Sequence, residues 1–356
     1  MRIALVGPPQ SGKSTLFAAV TQAGGSHVRS GRPDEPNLAV VKVHDERVDW
    51  LAGIYNPKKT VYAELGLLDI PGLDLADPAG RTHAQTYWPA MRQSDMLVFV
   101  VAEFADASVP AYRGKVDPAG NVEELVAEML FADLDQVTNR IEKLANAIKK
   151  PTAKRDEQAR ELELMKRLAE TLEAGKPIAE AINTEAETKL LRSFAFLSQK
   201  PALAVVNCCE DALSRPGSDS IASLPCVRLS AKIEEEISEL PPSERAEFLA
   251  EMGLGASASD RLVRACYERL DLVSFLTVGP DECRAWTLPA GTDAVTAAGQ
   301  IHTDIARGFI RAQTVSYEDF RAAGDIKAAK AAGNVRLEGK SYVVRDGDII
   351  EFRFNV

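Results

Sequence analysis

Ile3-Ala4-Leu5-Val6-Gly7-Pro8-Pro9-Gln10-Ser11-Gly12-Lys13-Ser14-Thr15-Leu16-Phe17 runs from a short apolar stretch, through a glycine-bounded loop, into the apolar start of a helix. The loop fits G-x-x-x-x-G-K-[ST] in full, and it stands where that pattern has physical meaning, between a buried strand and a helix N-terminus. Its glycines let backbone N–H groups curl around phosphate oxygens, and the helix adds its positive end. The lysine reaches the β and γ phosphates and the serine hydroxyl ligates Mg²⁺. Gly7, Pro8, Pro9, Gln10, Ser11, Gly12, Lys13, Ser14 and Thr15 therefore form the candidate phosphate cradle, Lys13 the candidate catalytic cation and Ser14 a candidate metal ligand. The alternative, a ligand-free strand-to-helix turn, would not require the further motifs found downstream.

The second motif is Asp69-Ile70-Pro71-Gly72, at the end of the apolar run Leu65 to Leu68. Such a carboxylate holds the metal through water, and the glycine N–H meets the γ-phosphate, which makes Asp69 a metal candidate and Gly72 a catalytic one. Alone, Asp-x-x-Gly would be an ordinary turn. A third set, Asn207-Cys208-Cys209-Glu210 after Ala202 to Val206 and Ser230-Ala231-Lys232 after Val227 to Leu229, falls beyond strand ends, where an α/β sheet binds a nucleobase. Asn207, Glu210, Ser230, Ala231 and Lys232 are its candidate contacts. Guanine is usually read by the Asp of Asn-Lys-x-Asp. Here Glu210 and Cys208 stand in place of Asp and Lys, and the longer carboxylate favours adenine while leaving guanine open.

The chain around these motifs has 356 residues, 46% of them apolar and 26% charged, enough for two or three folded domains. Five cysteines without a C-x-x-C pair suggest reduced thiols. The apolar run at the amino terminus is too short for a signal-peptide core or a membrane span. A net charge of −10 argues against indiscriminate coating of nucleic acid. Short β-branched runs, Ile3 to Val6, Leu65 to Ile70, Met96 to Val101, Ala202 to Val206 and Val227 to Leu229, predict buried parallel strands interrupted by an insertion. In the insertion Leu130, Leu134, Val137, Ile141, Leu144 and Ile148 step by four and three, the seam of a coiled coil. Pro151 breaks that helix and Leu162, Met165, Leu168 and Leu172 run back, giving a helical hairpin. Helical patterns at Ser243 to Met252 and Ser259 to Leu270 follow. From about Phe275 short β runs (Ala285 to Leu288, Tyr342 to Val344, Ile349 to Phe354) and a helix near Asp293 to Ile305 predict a small α+β domain.

Taken together, these motifs resemble the YchF branch of the Obg-like GTPases. Glu35-Pro36-Asn37, Gly114-Lys115-Val116-Asp117-Pro118, Ala132-Asp133-Leu134, Ile301-His302-Thr303-Asp304, Gly308-Phe309-Ile310-Arg311-Ala312, Tyr317-Glu318-Asp319-Phe320, Leu337-Glu338-Gly339-Lys340 and Asp346-Gly347-Asp348 extend the resemblance over almost the whole chain. It implies an α/β P-loop Ras-like G domain at 1–120 and 201–275, an inserted coiled-coil domain at 121–200 and a β-grasp TGS domain at 276–356. It also implies Mg²⁺ as cofactor, ATP or alternatively GTP as nucleotide, slow hydrolysis, and a ribosome or rRNA as partner.

The sequence departs from that family at several places. Pro33 replaces the threonine before Glu35-Pro36-Asn37, and Ala111 stands where relatives often carry a histidine proposed to assist hydrolysis. Asp74 to Tyr87 does not keep the glycine-rich pattern of the family. His83 and Gln85 there read as solvated loop residues, with a water-orienting role as the alternative. Lys149, Lys150, Lys154 and Arg155 at the hairpin tip are candidate contacts to rRNA phosphates, with a solvated loop as the plain alternative. The expectation is a monomeric, cytoplasmic, slow ATPase without membrane contact. A nucleotide-gated adaptor with little hydrolysis, or a true GTPase, are the competing readings.

Overall fold

The computed structural model describes residues 1–22, 27–28, 34–106, 108–149, 153–213 and 218–355; Pro33, Lys150 and Pro151 lie outside them. The run before the glycine-bounded loop is strand β1 (Arg2–Val6), followed by β2 (His27–Val28), β3 (Asn37–Val43), β4 (Lys59–Val61), β5 (Ala63–Asp69), β6 (Met96–Glu103), β7 (Ala202–Cys208), β8 (Ser220–Ile221) and β9 (Leu224–Leu229). Eight of these form one sheet in the order β2-β3-β5-β1-β6-β7-β9-β8. The pairs β5–β1, β1–β6, β6–β7 and β7–β9 are parallel, as the short β-branched runs require. Ile3, Ala4, Leu5 and Val6 are fully buried, so β1 carries its loop out of the middle of the sheet.

Helices α1 (Lys13–Gln22), α2 (Glu46–Tyr55), α3 (Pro78–Gln85), α4 (Trp88–Arg92), α5 (Pro118–Ala147) and α6 (Arg155–Glu173) follow in chain order. Asp77 caps α3 by accepting from Gly80 N, and Pro78 starts it. The apolar series of α5 and α6 meet. Val137 and Leu144 of α5 bury in one cluster with Leu162, Met165, Leu168 and Leu172 of α6, and Leu130, Leu134, Ile141 and Ile148 pack against it. Arg140 clamps Glu161 across the pair with bonds of 2.7 and 2.8 Å. Among the described residues no helix is long and apolar enough to cross a membrane, and none of the five cysteines is in a disulfide.

The chain divides into two compact units, 1–39 with 66–259 and 40–65 with 260–356. The stretch 40–65, which the sequence reading assigns to the nucleotide-binding domain, therefore packs with the carboxy-terminal residues. The reason is apolar. Val48, Leu51 and Ala63 bury among Leu276, Cys283, Ala285, Val315, Phe320 and Ile349. The second unit's sheet holds β10 (Leu272–Thr277), β11 (Glu282–Pro289), β12 (Phe309–Ser316), β13 (Arg336–Glu338) and β14 (Asp348–Phe354), in the order β13-β12-β14-β10-β11-β4. Strand β4 pairs parallel to β11, Lys59 opposite Glu282.

Two local expectations fail here. Tyr342 to Val344 is no strand but a single bridge, Val343 to Asp293, with Tyr342 O and Val344 N tied to the turn at Thr292 to Ala294. The helix read over Asp293 to Ile305 is two helices, Ala294–Ile301 and Thr303–Arg307, because His302 is extended (φ −162°) and its ring caps the second by accepting from Asp304 N.

Candidate functional site

The phosphate cradle grows out of β1 and ends in α1. At Gly12 the backbone has φ +79° and a Cβ would lie 2.0 Å from Asn207 Nδ2, so both conformation and space demand glycine. A Cβ at Gly72 would lie 3.0 Å from Pro9 Cα, which is how closely the Asp69-Ile70-Pro71-Gly72 turn approaches the cradle. That approach is set by the backbone: Ile70 N donates to Leu5 O at 3.1 Å and Leu73 N to Gly7 O at 2.9 Å. Lys13, only 4% exposed, is ion-paired with Asp69, and Ser14 Oγ donates to the other Asp69 oxygen at 3.1 Å. The residues expected to hold phosphate and metal are thus already joined. Gly7, Pro8 and Ser11 are buried, Gly12, Pro9 and Thr15 half-buried, and Gln10 is exposed with φ 63°. Ser11 Oγ is buried without a hydrogen-bond partner among the described residues.

Asn207, also 4% exposed, braces this loop. Its Nδ2 donates to Ser11 O at 3.0 Å and its Oδ1 accepts from Ala231 N at 2.9 Å. One amide therefore links the cradle to the segment beyond β9. Ser230 caps the helix Ala231–Glu239, accepting from Ile233 N. Glu210, at the start of the short helix Glu210–Leu213, and Lys232 are both exposed beside this brace. Cys208 is buried, with Sγ directed to Leu229 O at 3.4 Å, whereas Cys209 is exposed.

Of what surrounds the phosphate end of the cradle, sequence reasoning named only His83, as a solvated loop residue with a water-orienting role as the alternative. A cavity of about 530 Å³ is lined by Ser14, Asp69, Gly72, Asp34, His83 and Tyr87, among others. His83 is an exposed residue of α3 but lines this cavity, with Nε2 3.0 Å from Tyr87 Oη. Tyr87 Oη in turn donates to Asp34 O at 3.1 Å. The one available sequence signal is the four-residue spacing of His83 and Tyr87. Ala111 shares a separate small cavity with Pro8, Pro9, Gln10 and Ser11. Of the cations read as rRNA contacts, Lys154 and Arg155 are exposed and Lys149 donates to Asn146 Oδ1 at 3.0 Å, while Lys150 lies outside the described residues.

Comparison with known proteins matches residues 2–184 to a family model described as a 50S ribosome-binding GTPase. Residues 272–355 match the YchF-GTPase_C model, described as a protein of unknown function (DUF933). The chain is 39% identical to the "Ribosome-binding ATPase YchF" of Bacillus subtilis, covering 99% of this chain and 98% of the relative. It is 36% identical to the Escherichia coli O157:H7 protein of the same description, over 99% and 98% of the two chains. The solved structure of the Schizosaccharomyces pombe YchF GTPase superimposes with a TM-score of 0.83 at 28% identity, covering 99% of this chain and 97% of the other.

Proposed function

The chain belongs to the YchF family, and from that premise we propose that it is a slow, Mg²⁺-dependent nucleotide hydrolase, taking ATP in preference to GTP, whose nucleotide state governs association with a ribosome. The observation that carries this reading is the convergence of Lys13, Ser14 and Asp69 at the mouth of a cradle whose glycines admit no side chain. Ser14 Oγ and the Asp69 carboxylate are the residues that would hold Mg²⁺, and the ion would offset charge on the β and γ phosphates when bound. Nucleotide binding would pull Lys13 from Asp69 toward phosphate, free the Asp69 carboxylate for the ion, and bring the Gly72 N–H against the terminal phosphate. The cradle from Gly7 to Thr15 supplies backbone donors, and the orphaned Ser11 hydroxyl fits a site completed by a polar ligand. Asn207 keeps the cradle and the Ser230 to Lys232 segment in register, and Glu210 stands where the base would be read.

Residues 121–200 are the inserted helical domain in this reading and 276–356 the TGS-like β-grasp domain. The inserted domain offers Lys149, Lys154 and Arg155 to rRNA phosphates, and the protein works as a cytoplasmic monomer. Titration calorimetry with ATP and GTP in Mg²⁺, with single-turnover hydrolysis in the presence and absence of ribosomes, tests it. ATP should bind more tightly than GTP and turn over faster than with a Lys13→Ala control; equal rates would leave a nucleotide-gated adaptor. Ala111, which puts a methyl group where relatives carry an imidazole, favours that second reading. Tighter GTP binding would instead make the chain a GTPase.

A further inference from the structure

We propose that His83 is the residue that positions the attacking water in this chain, held as its Nε2–H tautomer by Tyr87 and Asp34. The inference rests on the hydrolase reading above and adds to it the residue that does the positioning.

Two hydrogen bonds favour this tautomer. The Asp34 carbonyl can only accept, so the single hydrogen of the Tyr87 hydroxyl is committed to it at 3.1 Å. The phenolic oxygen, 3.0 Å from His83 Nε2, must then accept from the ring, which requires the hydrogen on Nε2. A neutral imidazole protonated there carries its lone pair on Nδ1, an acceptor for a water O–H. The Tyr87 hydroxyl keeps its hydrogen, because burial, with the charge of Asp34 adding to it, pushes the phenol above its ordinary range.

The place is right as well. His83 lines the same cavity as Ser14, Asp69 and Gly72, the groups that would face the terminal phosphate. Phosphoryl transfer asks the protein for placement of the nucleophile more than for a strong base. An imidazole whose ring is fixed by a neighbour supplies that placement. Its ring stands edge-on to Tyr87, with centroids 5.4 Å apart and an interplanar angle of 84°, so packing holds the plane that the hydrogen bond selects. Ala111, which lines a separate small cavity beside the cradle, has no group for this task. Ala111 and His83 fit one account, in which the water is held from the α3 side.

The test combines nitrogen NMR with kinetics on the full chain. With only four histidines in the sequence, the spectrum of His83→Ala identifies the His83 ring nitrogens in the ¹⁵N-labelled wild type. The expected result is an Nε2–H ring whose Nδ1 signal moves when ADP and beryllium fluoride are added. In single-turnover hydrolysis, His83→Ala should slow the step by about tenfold or more while the Kd for a non-hydrolysable ATP analogue changes by less than about threefold. Tyr87→Phe, which keeps the ring but releases the tautomer, should fall between. An Nδ1–H ring overturns the proposal, as does undiminished turnover in His83→Ala beside an active wild type. Wild-type turnover no higher than that of Lys13→Ala removes the hydrolase reading itself and the proposal with it.

Discussion

Asn207 uses both ends of its amide on the protein, so its loss is felt in two places. Asn207→Ala leaves the Ser11 carbonyl and the Ala231 N–H without their partner, at about 1–3 kcal/mol for each buried group left unmade. Nucleotide Kd should rise at least about tenfold, read by titration calorimetry, with a lower thermal midpoint in the nucleotide-free protein. A midpoint and Kd equal to wild type would show that the brace is dispensable. Lys13 and Asp69 make a complementary case. Removing one partner of a buried ion pair costs about 3–5 kcal/mol, whereas replacing both can be neutral. Lys13→Met should therefore unfold at lower urea than wild type, and Lys13→Met with Asp69→Leu should recover part of the difference. The cradle was legible in the sequence because all its parts lie within nine consecutive positions and the chemistry follows from their order. The arrangement of His83, Tyr87 and Asp34 was not, since it depends on a hydroxyl meeting a carbonyl 53 residues away. Nothing in local spacing encodes that meeting.

At the scale of elements, periodicity carried the helices well, because burial of one face is repeated every three to four residues and leaves a regular trace. What it could not show is where a long helix is anchored. Asp133 on α5 is fully buried and accepts from Leu197 N at 3.0 Å, Ser198 N at 2.7 Å and Arg92 Nη1 at 2.9 Å. One carboxylate thus fastens the helical insertion to the segment that leads into β7. Asp133→Ala should destabilise the protein by about 3–5 kcal/mol, since it orphans two amides and takes the ion-pair partner from a half-buried guanidinium at once. Asp133→Asn, whose NH₂ confronts donors, should also destabilise, to a smaller degree, in urea unfolding. The failures of the reading at Tyr342 to Val344 and at His302 share a cause. An apolar triplet looks like a strand and an uninterrupted apolar series like one helix, but a backbone already bonded to a turn, or an imidazole available as a cap, redirects the chain.

For the molecule as a whole, the decisive feature is that residues 40–65 and 260–356 make one unit. A fragment of residues 1–259 should therefore scatter light and precipitate where the full chain stays dispersed, because Val48, Leu51 and Ala63 lose the residues that cover them. Alkaline pH should weigh on this same unit. The phenols of Tyr62 and Tyr342 are pushed up to about 12 by burial and by hydrogen bonds to Asp49 and Asp348. An unfolded chain releases those protons near about pH 10. Between about 10 and 12 the unfolded state binds fewer protons than the native one, so stability falls as pH rises through that window. Urea midpoints at pH 9 and pH 11 measure the fall, which Tyr342→Phe should reduce. The same feature sets a schedule for biosynthesis. Lys58 and Asp281, paired beside β4 and β11, are 223 residues apart in sequence. At about 5–20 residues per second, the nascent chain therefore waits roughly ten to forty-five seconds for its second half. Throughout that wait the apolar side of α2 lacks the neighbours that the carboxy-terminal residues supply, and whatever shelters it then, a chaperone or the speed of the translating machinery, governs how much protein a cell obtains.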